Sequence, residues 1–121
     1  MTFIAYAKCS TCQKAKKWLE EQGFSFTTRP IQSDPPTAEE IDSWQQKSGL
    51  PLKKFFNTSG QLYREMELKD KLPDMSLQEQ YELLGSDGML VKRPILEGRD
   101  FVLTGFRQPE WQAALDKMKA E

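Results

Sequence analysis

The sequence predicts an α/β fold: a strand–helix–strand unit first, a β-hairpin and a helix last, and short helices between them. Three observations carry this. "TFIAYA" is short, β-branched and aromatic, as a strand requires. From Ser10 onward Cys12, Ala15, Leu19 and Gln22 fall near one helical face, with Trp18 beside it. Near the other end, "MLVKRPILEGRDFVLTG" reads as a hairpin, with Pro94 at a strand start and Glu97 to Asp100 as the turn.

The elements follow in order. Gly23 supplies the stop of the first helix. "FSFTTRPI" alternates as a second strand, and a strand–helix–strand order of this length makes a right-handed βαβ unit. The double proline of "QSDPPTAEE" breaks the chain, and Thr37 caps a helix with Glu40 three residues on, the spacing of a capping box; that helix ends at Gly49. Residues 50 to 88 mix short periodic runs with Asn-Thr-Ser-Gly and a proline, which predicts two or three short helices and no strand. Pro109 opens a last helix carrying Trp111, Ala114, Leu115 and Met118. With no repeat and no low-complexity stretch, one domain over 1–121 is expected, with a helical insertion at about 37–88.

Composition narrows the function. The chain has 121 residues, 17 basic against 18 acidic, for a net charge of -1. No surplus of either sign marks a polyanion or membrane-surface binder, so neither direct nucleic-acid binding nor a membrane is expected. The opening "MTFIAYAKCS" lacks a basic leader, its apolar stretch is too short for a signal peptide, and no segment approaches the roughly 18 apolar residues of a membrane span. A cytoplasmic location follows, where two close cysteines are more often reactive or metal-binding than a structural disulfide.

Histidine is absent and cysteine occurs twice, at Cys9 and Cys12. That removes Cys-His pairs, Ser-His triads and every zinc set using imidazole; four thiolates would need two subunits, so no metal is expected. A phosphatase-like cysteine with an arginine six residues later also fails, since Ala15 and Trp18 stand at that position after Cys9 and Cys12. The alternative to chemistry is two small core residues, a common fate of cysteine. A Cys9 at the N-terminal edge of the first helix would instead face the free N–H groups of Thr11 and Cys12. Lowering a thiol from about 8.5 by two units requires about 2.7 kcal/mol, whereas a helix dipole supplies about 0.3–1, so a cation must assist. Cys12, one turn further in, is expected to be more buried and to serve as a resolving thiol.

Taken together, "YAKCSTCQKAKKWLEEQG", "DPPTAEEI", "LKKFFNTSGQLYRE", "KRPI" and "GFRQPEW" resemble the arsenate reductase (ArsC) family of the glutaredoxin-like type, to which the Spx redox regulators also belong. The resemblance runs from Thr2 to about Leu115. It implies a thioredoxin/glutaredoxin-like core, βαβ then ββα in a mixed sheet, with a helical insertion and a cis peptide at Pro94. It implies that Cys9 attacks arsenate or a mixed disulfide while Arg93, and Arg107 of "GFRQP", hold the oxyanion. Guanidinium suits that task because its fork matches a tetrahedral anion. No bound cofactor is implied; glutathione with glutaredoxin, or thioredoxin, would donate electrons. The family's third arginine falls at Asn57, where Lys53, Lys54 or Arg64 would have to substitute. Cys12 also departs from the glutathione-dependent enzymes and matches the C-x-x-C of Spx-like proteins. The alternative implied function is therefore a redox-switched regulator that binds the C-terminal domain of the RNA polymerase α subunit.

Overall fold

In a computed structural model describing residues 1–120, the first strand β1 (Thr2–Ala5) leads into helix α1 (Ser10–Glu21) and back to strand β2 (Thr27–Pro30). Helix α2 (Ala38–Ser48) follows, then α3 (Gln61–Glu65), α4 (Leu68–Lys71) and α5 (Leu77–Ser86), with 3-10 turns at Leu52–Phe55, Leu72–Asp74 and Gly88–Leu90. Strands β3 (Ile95–Glu97) and β4 (Val102–Thr104) and helix α6 (Gln108–Ala120) complete the order. The sheet runs β2-β1-β3-β4, with β1 and β2 parallel and the other pairs antiparallel. This is the mixed α/β sheet expected.

Strand alternation sorts the core into two layers. Phe3, Ala5 and Leu96 face α1 and α6, where they join Cys12, Ala15, Leu19, Trp111 and Leu115. Ile4, Ile95 and Val102 point the other way, toward Ile41 and Trp44 of α2, Leu84 of α5 and Phe55 and Phe56. Period-two side chains on a two-sided sheet require this arrangement. All three tryptophans are buried, as are Phe55 and Phe56.

Local signals set the boundaries. Thr37 Oγ1 accepts the Glu40 N–H and a Glu40 carboxylate oxygen accepts the Thr37 N–H, both at 3.1 Å, and Gly49 ends α2 at φ 70. Arg29 pins β2 to the same helix: its guanidinium grips both Glu40 oxygens at 2.7 and 3.0 Å, donates to the Asp34 and Pro35 carbonyls, and lies 6.0 Å from the Trp44 ring. That bidentate bond holds the Glu40 carboxyl below its ordinary range, against partial burial.

Several expectations shift. β2 begins at Thr27 rather than Phe24, because the Phe24 N–H closes on Leu19 and both Phe24 and Phe26 cover the α1–α6 layer. Gln22 caps α1 in solvent instead of joining its buried face. The segment after α2, residues 50–90, holds three short α-helices plus three 3-10 turns, and Phe56 forms a lone bridge with Val91. Glu97 still pairs with Val102, so the hairpin turn is Gly98 to Phe101. The last helix starts one residue before Pro109. No helix among the described residues is long and apolar enough to cross a membrane.

Candidate active site

Cys9 is the N-cap of α1, with extended backbone at φ -90 and ψ 119. Its own N–H donates to the Tyr6 carbonyl at 3.0 Å, and its Sγ accepts the Cys12 N–H at 3.3 Å. A sulfur therefore stands where serine or threonine usually caps a helix, and a thiolate accepts N–H bonds far better than a thiol. Partial burial pushes the Cys9 thiol up, yet hydrogen bonds from the Cys12 thiol and N–H, the Arg93 charge and the Thr11 N–H together hold it below its ordinary value. Cys12 is buried and goes the other way, up to about 12. Burial is the main cause, reinforced by its hydrogen bond to Cys9 and the neighbouring negative charge, while a Tyr6 backbone bond and Arg93 oppose. Both thiols are free.

Arg93 is the cation the helix needs. It precedes Pro94, and the peptide between them is cis, the conformation expected there. Its Nη1 makes only long bonds, 3.4 Å to the Met89 carbonyl and 3.5 Å to that of Val91. Its Nε is buried without a hydrogen-bond partner, and its Cζ lies 5.4 Å from the Tyr6 ring centroid. The guanidinium thus has donors that the fold leaves weakly engaged.

Cys9 and Arg93 open onto a cleft of about 870 Å³ between the start of α1, the "KKFFNTSG" segment and the start of α6. Lys53, Lys54, Lys92, Arg93 and Arg107 line it against one carboxylate, Glu110. The chain's near-neutral net charge therefore conceals a cationic concavity. Arg107 is on the exposed rim, 3.7 Å from Glu110. Asn57 reaches the wall, its N–H held by the Leu90 carbonyl at 2.8 Å in a turn closed by the Gly60 N–H to Asn57 O bond. A Cβ on Gly60 would stand 2.6 Å from the Asn57 side-chain nitrogen, so a larger residue there would displace the Asn57 amide from its place. Of the candidate substitutes for a third arginine, Lys53 and Lys54 border the cleft, whereas Arg64 is exposed on α3 away from its lining. Lys14, Lys16 and Lys17 form a solvated face of α1.

Sequence reasoning missed Lys92, Glu110 and Tyr6. The first two are in the "KRPI" and "GFRQPEW" blocks already singled out, each beside or one turn from an arginine. Nothing local marks Tyr6, whose ring meets Arg93 across the fold.

Residues 5–114 match the model of the ArsC family. YusI of Bacillus subtilis is 53% identical over 93% of this chain and 95% of its own length. The crystal structure of a "possible arsenate reductase" from Streptococcus mutans superposes with a TM-score of 0.84 at 46% identity, covering 92% of this chain and 96% of that one. The global transcriptional regulator Spx 1 of Bacillus cereus is 28% identical over 91% of this chain and 82% of its own.

Proposed function

This chain belongs to the ArsC family, and we propose that it works there as a cytoplasmic thiol oxidoreductase, with Cys9 as nucleophile and Cys12 as resolving thiol. The observation carrying this reading is the ionisable Cys9 sulfur at the start of α1, facing a cleft with five cations and one carboxylate. With a mixed disulfide, the Cys9 thiolate attacks one sulfur, the Cys9–S bond forms, and the partner thiolate leaves and takes a proton. Cys12 then loses its proton and attacks the Cys9 sulfur, releasing the bound thiol and leaving a Cys9–Cys12 disulfide. A thiol reductant such as glutathione with glutaredoxin, or thioredoxin, returns the two electrons.

With arsenate, Cys9 displaces an oxygen as water, and a second thiol attacks the Cys9 sulfur. The electron pair stays on arsenic, which leaves as arsenite. Arg93 would hold the arsenate and, with either substrate, stabilise the Cys9 thiolate, with Arg107, Lys53, Lys54 and Asn57 at the walls. A cleft of about 870 Å³ is far larger than a four-oxygen anion needs, which favours an extended disulfide over arsenate alone.

The test is reductant-coupled turnover of oxidised glutathione and, separately, of arsenate. Cys9→Ser should abolish it, and Cys12→Ser should accumulate a mixed disulfide visible as added mass. Unchanged turnover in Cys9→Ser ends this reading. The Cys9–Cys12 pair and the likeness to Spx 1 favour a second one: a redox-switched regulator contacting the C-terminal domain of the RNA polymerase α subunit. Capture of that domain by one redox state of the protein would support it; no capture in either state would discard it.

A further inference from the structure

We propose that Tyr6 is a positioning residue for the chemistry at Cys9, its ring face fixing the Arg93 guanidinium while its carbonyl anchors the Cys9 backbone. The inference rests on the reading of Cys9 as nucleophile. Among the described residues Arg93 has no carboxylate partner, only two marginal carbonyl bonds at 3.4 and 3.5 Å and a buried Nε with none. What remains to orient the cation is the Tyr6 ring, 5.4 Å from Cζ. The same residue takes the Cys9 N–H at 3.0 Å. One side chain and its own backbone thus set the spacing of cation and sulfur from both ends.

The choice of an aromatic partner has a physical reason. A carboxylate beside Arg93 would hold it more firmly but would cancel the charge that stabilises the thiolate and receives the anion. A ring face orients a guanidinium and leaves its charge intact. Tyr6 is half-buried against the core around Ile4 and Ile95 and does not border the cleft, so it acts through Arg93 rather than on substrate.

The experiment is the pH dependence of Cys9 alkylation by iodoacetamide, with the modified residue assigned by mass spectrometry. Tyr6→Leu should move the midpoint up by about half a pH unit, slowing alkylation about threefold below it. Tyr6→Phe, which keeps the ring, should overlay the wild type. In an Arg93→Ala background Tyr6→Leu should add nothing. The proposal is overturned if Tyr6→Leu titrates as wild type, if Tyr6→Phe shifts equally, or if the shift persists without Arg93. Should circular dichroism show Tyr6→Leu unfolded, Tyr6→Met is measured by the same criteria. Alkylation reads the sulfur with no substrate present, so its outcome is separate from that of the turnover assay.

Discussion

Arg29 and Arg93 stand in the same tripeptide, Arg-Pro-Ile, and in both the isoleucine is fully buried. Their surroundings differ. Arg29 is gripped by both oxygens of Glu40, lies 3.3 Å from Asp34, and uses its remaining donors on two carbonyls. Arg93 meets no carboxylate among the described residues, leaves Nε unbonded, and sets its Cζ over an aromatic ring. The first cation is neutralised and serves the fold; the second is held in place without being neutralised. Identical local sequence therefore says little about an arginine's task. The group that tertiary structure sets opposite decides it.

The contrast is open to attack at both ends. The largest effect expected is on turnover in Arg93→Ala, a fall on the order of 100-fold, as for loss of one anion-stabilising donor. Stability should change by less than about 1 kcal/mol in urea unfolding. A variant that unfolds readily yet keeps full turnover would erase the distinction.

Arg29→Ala should do the reverse. It removes a bidentate pair that is partly solvent-screened, so a loss of about 1–2 kcal/mol is expected, with the Cys9 alkylation midpoint unmoved. A shifted midpoint would mean the two arginines are coupled.

The smallest effect sharpens the comparison through acid. Because the folded state depresses the Glu40 pKa, its contribution is fully present above the ordinary carboxyl range and is lost as pH falls through the lowered value. The stability gap between wild type and Arg29→Ala should therefore narrow below about pH 4, measured by urea unfolding at stepped pH. A constant gap would assign the role of Arg29 to packing on Trp44 instead.

How much of this was legible follows from range. The capping box at Thr37, the glycine stops and the helix beginning beside Cys9 are decided within four residues, and they were readable. Phe24 and Phe26 alternate as a strand would, yet Phe26 sets its edge on Phe3 at 5.7 Å and covers a core layer, so tertiary packing overrode the local pattern. At the site, the two cysteines and Arg93 sit in recognisable blocks. The other determinants are assembled from distant segments: Lys53 and Lys54 come from before the Asn57 turn, Lys92 from beside β3 and Glu110 from α6. Tyr6 was the hardest to see, since its role depends on a guanidinium 87 positions later, a separation given by the numbering itself.

If Cys9 attacks and Cys12 resolves, as proposed, the opposite shifts of the two sulfurs bear on the order of events. While Cys9 carries charge, it retains its neighbour's hydrogen and repels a second anion only a helical turn away. A covalent bond at the Cys9 sulfur would lift both of these restraints, leaving burial as what still opposes ionisation of the inner thiol. On the proposed roles of the two thiols, the order of the attacks would follow from which sulfur holds the proton.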